Sequence, residues 1–211
     1  MESALRAGSG APGLKLIETA LWDGAACPRL DGHLARLVRS AAALGWPCDP
    51  DAARAALTGP SGEAARLRLT LDATGALEIT RAALPPSPAE WRLGLAQARL
   101  SSGDPWLRLK TTRREIYDRA RAGMGEGIDE LLFLNERGEI CDGTITTLFF
   151  DRGAGLCTPP LSSGLLAGVL RAEMLGNGIC REEILLAEDL PRVQLWVGNA
   201  LRGMMPAVWR G

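Results

Sequence analysis

The chain has 211 residues, of which 46% are hydrophobic, and its 24 basic and 25 acidic residues give a formal net charge of −1. This composition predicts a globular protein of one or two domains with a sizeable core, and no apolar run is long enough to cross a bilayer. Nucleic-acid binders usually carry a clear basic excess, so we expect neither a nucleic-acid nor a membrane partner.

Residues 1–13 are small and glycine-rich and lack the apolar segment of a signal peptide, which predicts a frayed N-terminus and a cytoplasmic location. The five cysteines lack C-x-x-C spacing and are predicted to be reduced packing residues. A zinc cluster or a Ser-His-Asp triad is hard to assemble, because His33 is the one histidine of the sequence. We therefore expect no metal site.

Strand and helix patterns alternate in the first half of the chain. Residues 14–21 are short and apolar and predict a strand. Apolar residues then recur every three or four positions, which predicts a helix that is capped by Asp31 and ends near Gly45. The pair Asp49-Pro50 would open a shorter helix, and strict alternation predicts a β-hairpin over 65–81.

A proline-rich segment at 84–88 leads toward a domain boundary, which we place after residue 102. Before that boundary, residues 91–98 alternate as a strand. After it, the alternating run Trp106–Lys110 leads into a basic helix that begins at about Thr112. Taken alone, this stretch is either an ordinary strand edge entering a helix or a nucleophilic lysine beside anion-binding groups.

The second half is rich in strands, so we predict an α+β domain over 1–102 and a β-rich domain over 103–211. Strand patterns occur at 130–134, 139–143, 146–150, 194–198 and 205–208. Between these strands, a glycine-rich loop opens into a helix that ends near Leu175. The first amides of such a helix lack partners and form an anion site suited to phosphate, although many helices that follow glycine bind nothing.

Six blocks of the sequence, in this order, resemble the class IV aminotransferase family, the fold-type IV enzymes that use pyridoxal 5′-phosphate. The blocks are Ile17–Thr19, His33–Leu37, Lys110–Arg114, Asn135–Thr144, Gly164–Val169 and Gly198–Gly203. They extend over nearly the whole chain. The resemblance implies a small N-terminal α/β domain, a larger C-terminal pseudobarrel domain rich in strands, and a homodimer.

The resemblance also implies the cofactor pyridoxal 5′-phosphate and its contacts. Lys110 would hold the aldehyde as a Schiff base and move protons, and Asp142 would keep the ring nitrogen protonated. The phosphate would be bound by Arg36 and by the amides at the start of the helix, and Leu166 would pack on the ring. The implied cofactor-binding residues are thus Arg36, Lys110, Asp142, Leu166, Gly168, Val169, Leu170 and Asn199. The residues implied near the substrate are Arg113, Ala200 and Arg202.

The chain departs from the family at three positions. The family usually has glutamate where this chain has Asp142, so the ring must lie closer, a water must intervene, or the electron sink is weaker. Branched-chain members have a tyrosine at the position of Glu115, and Tyr117 comes two residues later, so no tyrosine role is carried over. An asparagine that is common in the family is replaced by Thr147.

Three functions follow from the resemblance. The compact length and the blocks at 110–114 and 198–203 resemble lyases that release pyruvate from aminodeoxychorismate to form 4-aminobenzoate for folate synthesis. An aminotransferase specific for branched-chain or D-amino acids is the close alternative, because both reactions begin with proton removal by Lys110. A protein that binds pyridoxal phosphate without useful catalysis is the third.

Overall fold

The structure, a computed structural model, describes residues 2–59 and 61–211. The chain falls into two compact units, which consist of Met1–Pro86 with Leu109–Arg113 and of Ser87–Arg108 with Arg114–Gly211. Both units combine helices with a sheet, so the predicted α+β class is confirmed.

The first unit contains a three-stranded antiparallel sheet with the order β1-β2-β3. In chain order its elements are α1 (Glu2–Gly8), β1 (Leu16–Trp22), α2 (Leu30–Leu44), α3 (Pro50–Ala56), β2 (Ala65–Leu71) and β3 (Leu77–Ala82). Side chains on alternate positions of β2 are buried, as the alternating sequence predicts. The predicted hairpin over 65–81 is therefore confirmed.

The caps of the helices in the first unit agree with the sequence predictions at some helix ends and differ at others. Asp49 caps α3 as predicted, since its carboxylate accepts hydrogen bonds from the amides of the first turn. Gly45 ends α2 in the left-handed conformation, at a φ of 73°. The predicted cap at Asp31 is wrong, because α2 begins at Leu30 and Asp31 lies inside its first turn. The pair Gly59-Pro60 in the sequence predicts the stop of α3, and Pro60 lies outside the described residues.

The prediction that the N-terminal segment is frayed is wrong. Residues Glu2–Gly8 form α1, and Leu5 within it is buried. Helix α1 packs against α2. The periodicity of this short helix is masked in the sequence by its many small residues.

The second unit is built on an eight-stranded mixed sheet with the order β6-β5-β4-β11-β10-β7-β8-β9. In chain order its elements are β4 (Trp91–Leu100), α4 (Glu115–Ala122), β5 (Glu130–Asn135), β6 (Ile140–Gly143), β7 (Thr147–Asp151), β8 (Leu156–Thr158), α5 (Val169–Gly176), β9 (Arg181–Glu182), β10 (Gln194–Asn199) and β11 (Gly203–Trp209). Glu139, next to β6, forms a bridge with Leu186, which follows β9, so the two edges of the sheet are linked and the sheet curls.

Two segments near the predicted domain boundary differ from the sequence predictions. Strand β4 was placed in the first domain, but it pairs in parallel with β5 and β11 and belongs to the second unit. The run Trp106–Lys110 is not a strand, because Pro105–Arg108 form a 3-10 helix whose first turn is held by a hydrogen bond from the Trp106 amide to Asp104. Helix α4 begins at Glu115 rather than at Thr112.

All five cysteines are free thiols, and four of them are buried. The prediction that they are reduced packing residues is confirmed for these four. Within residues 2–59 and 61–211, no helix is long and apolar enough to span a membrane, and no group of three or more histidine, cysteine, aspartate or glutamate side chains is arranged to hold a metal ion.

Candidate active site

The eleven residues that the sequence analysis placed in the site divide between the two units. Arg36, Lys110 and Arg113 belong to the first unit, and the other eight belong to the second.

Lys110 lies in the short segment Leu109–Arg113, which pairs with the beginning of β1. The Ile17 amide donates to the Lys110 carbonyl at 2.8 Å. Next to the lysine, Thr111 forms a bridge with Leu16, and the Arg113 amide donates to the Thr111 hydroxyl at 3.1 Å. The backbone that follows Lys110 is thus fixed, while the side chain of Lys110 is half-buried.

Arg36 projects from α2 and is held by a buried carboxylate. Its Nε donates to Glu18 Oε1 at 2.8 Å and its Nη2 donates to Glu18 Oε2, so the guanidinium and the carboxylate meet at two points. His33, one helical turn before Arg36, adds a third contact, with Nδ1 2.6 Å from Glu18 Oε2. The pair uses Nε and Nη2 of Arg36, so Nη1 is the nitrogen available to a further anion.

The pKa of the buried Glu18 carboxyl is strongly lowered by its neighbours. Burial alone would raise the pKa of Glu18, but the charge and hydrogen bonds of Arg36, with those of His33, lower the pKa to about 2. Glu18 therefore stays ionised and fixes the guanidinium plane. Among the described residues, His33 Nε2 is buried and has no hydrogen-bond partner.

In the second unit, Asp142 and Leu166 are brought together. Asp142 lies on β6 with 6% of its surface exposed, and its Oδ2 accepts a hydrogen bond from the Leu166 amide at 3.1 Å. This hydrogen bond sets the orientation of the buried Asp142 carboxylate. A buried carboxylate held in this way is suited to accept a hydrogen bond from a protonated ring nitrogen.

Gly168, Val169 and Leu170 form the N-terminus of α5. Gly168 is the N-cap residue with extended backbone, and no side chain caps the helix. Val169 and Leu170 are buried, and Leu170 packs with Phe149 and Met174. The amides of the first turn have no intrahelical acceptor, and the anion site at this helix N-terminus stays a prediction.

The turn between β10 and β11 contains Asn199, Ala200 and Arg202. Asn199 Oδ1 accepts from the Leu201 and Arg202 amides at 3.1 and 3.0 Å, and its Nδ2 donates to the Ile145 carbonyl at 3.2 Å. Asn199 therefore shapes this turn and ties it to the loop that follows Asp142. The Arg202 guanidinium lies 5.6 Å from the ring centroid of Trp91, a distance that allows a cation–π interaction.

A buried carboxylate that was not predicted from the sequence, Glu130, organises the loop after Asp142. Glu130 is fully buried and accepts hydrogen bonds from the Thr144 amide at 3.0 Å, the Thr146 hydroxyl at 2.8 Å and the Thr144 hydroxyl. Arg121 donates to the Thr144 hydroxyl and pairs with Glu130 at 3.5 Å. A charged residue at the start of an apolar strand is the sequence signal that could have identified Glu130.

Tyr117, which received no role from the sequence, lies on α4 and packs edge-on against Phe133, with ring centroids 5.1 Å apart. Burial raises the pKa of Tyr117 above its usual value, and the negative charge of Asp142 raises it further. The phenol is therefore a neutral group close enough to Asp142 to sense its charge.

The chain resembles known proteins along most of its length. A family model described as amino-transferase class IV matches residues 15–208. A protein of Schizosaccharomyces pombe with the provisional name aminodeoxychorismate lyase is 33% identical over 181 residues, which are 80% of this chain and 76% of that protein.

Two solved structures extend this comparison. One is a provisionally assigned amino-acid aminotransferase from Mesorhizobium loti, with 45% identity and a TM-score of 0.87 over 93% of this chain and 100% of that chain. The other is a provisional 4-amino-4-deoxychorismate lyase from Legionella pneumophila subsp. pneumophila, with 20% identity and a TM-score of 0.80 over 92% and 82% of the two chains. At that identity, the second likeness concerns the fold alone.

Proposed function

Because the chain belongs to the class IV aminotransferase family, we propose that it is an enzyme dependent on pyridoxal 5′-phosphate and that its reaction is pyruvate release from aminodeoxychorismate. When bound, this cofactor supplies an electron sink that stabilises negative charge on the substrate carbon. The provisional lyase from Schizosaccharomyces pombe supports the choice of reaction.

The observation that carries the cofactor proposal is the arrangement of Asp142 and α5 in the second unit. The uncapped helix N-terminus at Gly168 suits a phosphate, and the buried Asp142 carboxylate, oriented by the Leu166 amide, suits a protonated ring nitrogen. Pyridoxal phosphate carries both groups. The donors and acceptors of these residues therefore fit the cofactor.

The remaining proposed roles belong to residues of both units. We assign Lys110 Nζ to the covalent bond with the cofactor aldehyde and to removal of the α-proton. Arg36 would donate from Nη1 to the phosphate, because Glu18 already occupies its other two nitrogens. Arg113, Ala200 and Arg202 remain proposals for substrate contacts, with the arginines suited to carboxylates.

An amino-acid aminotransferase is the second candidate, and the 45% identity to the provisional aminotransferase from Mesorhizobium loti favours it. Both reactions require the same proton removal by Lys110, so product analysis must separate them. The purified protein is incubated with aminodeoxychorismate, and separately with leucine or D-alanine plus 2-oxoglutarate. Pyruvate and 4-aminobenzoate without glutamate would support the lyase, and glutamate without 4-aminobenzoate would contradict it.

The cofactor proposal has a test that does not depend on the substrate. Protein loaded with pyridoxal phosphate is reduced with borohydride, digested, and the position of the adduct is read by mass spectrometry. The sequence offers a matched control, because Lys15 is its one other lysine. We expect the adduct on Lys110 in the wild type and in Lys15→Arg, and its loss in Lys110→Arg. An adduct on Lys15, or no cofactor uptake, would contradict the proposal.

A further inference from the structure

Thr147 is a buried residue beside the N-terminus of α5 that the proposed function does not use. It is the first residue of β7, pairs in register with Gly198 of β10, and has 7% of its surface exposed. It replaces the asparagine that is common in the family.

The hydroxyl of Thr147 makes no hydrogen bond to any of the residues that the structure describes. Other buried threonines of this unit behave differently. The Thr146 hydroxyl donates to Glu130 at 2.8 Å, and the Thr158 hydroxyl donates to the Leu148 carbonyl at 2.9 Å. Thr147 Oγ1 is not one of the fully enclosed polar atoms that lack a partner among the described residues, so a further group can reach this hydroxyl and bond to it.

The position of this hydroxyl indicates which group that is. A Cβ placed on Gly168 would lie 3.1 Å from Thr147 Oγ1, so the hydroxyl adjoins the N-cap residue of α5. Helix α5 has eight residues and no side-chain cap. Thr147 thus approaches the helix end without capping it.

We infer that Thr147 is a further cofactor-binding residue, whose hydroxyl donates a hydrogen bond to the phosphate group held by the amides of Val169 and Leu170. This inference rests on the proposed function, because it takes pyridoxal phosphate as the ligand. It also gives a reason for the glycine at 168, since a methyl group there would crowd the hydroxyl.

The test compares the binding of pyridoxal phosphate with that of pyridoxal, which lacks the phosphate. Cofactor-free wild type, Thr147→Val and Thr147→Ser are titrated with each compound, and the dissociation constants are read from the absorbance of the bound form. We expect Thr147→Val to weaken pyridoxal phosphate roughly tenfold or more, the usual effect of losing a bond to a charged group. Pyridoxal affinity should be unchanged, and Thr147→Ser should restore most of the loss.

Thr158→Val is the matched control, because it removes a buried hydroxyl whose hydrogen bond is internal to the unit. It should lower stability and leave the ratio of the two affinities unchanged. Equal binding of pyridoxal phosphate by wild type and Thr147→Val, or an equal loss for both compounds, would overturn the inference while leaving the proposed function intact. A wild type that binds neither compound would overturn the proposed function itself.

Discussion

Glu18 and Arg36 form a two-point ion pair inside the first unit, with Nε of the arginine 2.8 Å from Oε1 of the glutamate. Both side chains are buried, and His33 supports the same carboxylate. The carboxylate fixes the orientation of the arginine that we assign to the phosphate, so under the proposed function the pair would link the stability of this unit to cofactor binding.

This ion pair predicts a specific loss of stability in acid. The pKa of Glu18 is about 2 in the folded protein and about 4.5 when unperturbed, so its contribution is fully present above pH 4.5 and is lost as the pH falls toward 2. The shift corresponds to something on the order of 3 kcal/mol. Urea unfolding at pH 7, 4 and 3 should show this decline in the wild type, and the decline should be smaller in Glu18→Gln.

Glu18→Gln should also lower the free energy of unfolding at pH 7 by about 3 to 5 kcal/mol, because it leaves Arg36 buried without a counter-charge. Glu78→Gln is the control, since Glu78 pairs with Lys15 at an exposed position. Its effect should stay within about 1 kcal/mol. If both variants lowered the free energy of unfolding equally, the buried pair would contribute no more to stability than the exposed pair, which would contradict the prediction.

Tyr117 gives a second prediction. It is easy to measure, because Tyr117 is the one tyrosine of the sequence. Burial and the neighbouring charge of Asp142 raise the pKa of Tyr117 above its ordinary value of 10. The folded state therefore retains the proton as the pH rises past 10, and ionisation then costs stability. Ultraviolet absorbance of tyrosinate should appear only together with unfolding, followed by circular dichroism, and an earlier rise would contradict the assignment.

Much of the fold was predictable because local patterns agree with the final structure. The alternation in β2 and the cap at Asp49 describe interactions between near neighbours in sequence. Strands β8 and β9 were missed because they are three and two residues long and carry no recognisable period. The segment Leu109–Arg113 was not assigned to the first unit, because backbone bonds to β1, far away in sequence, place it there.

The candidate site also has some features that could be predicted from the sequence and others that could not. The blocks around Lys110 and Asp142 were identified by resemblance, and their roles stay predictions. The pairing of Glu18 with Arg36 was not foreseen, although a carboxylate inside an apolar strand and His33 on the same helix face as Arg36 were both visible in the sequence. A pattern shows which side chains share a face, but only the packed unit shows which faces meet.

Gly143 provides a third prediction, about the loop that follows Asp142. A Cβ at this position would lie 2.6 Å from the Thr146 hydroxyl and 2.8 Å from the Thr146 carbonyl. Gly143→Ala should therefore displace the loop and lower the free energy of unfolding by about 1 to 3 kcal/mol in urea titrations. Gly125→Ala is the control, because a Cβ there meets nothing within 4 Å. Similar stability of both variants would contradict the crowding.

Asp142→Asn tests the proposed partner of the ring nitrogen with two independent measurements. Asparagine has nearly the same shape, and its oxygen can still accept from the Leu166 amide, so we expect the fold to persist. Loss of the negative charge should reduce kcat by about 100-fold or more, as expected when a preorganised charge is removed from a reacting group.

The second measurement needs no cofactor. Asp142 raises the pKa of Tyr117, so Asp142→Asn should lower the pKa of that phenol, observed as tyrosinate absorbance that begins before the unfolding followed by circular dichroism, unlike in the wild type. Asp104→Asn is the matched control, because Asp104 contributes least to the same shift and its removal should change the titration less. A shifted titration with unchanged kcat would show that the charge is present beside Tyr117 but does not serve the reaction, and would exclude Asp142 from the proposed role.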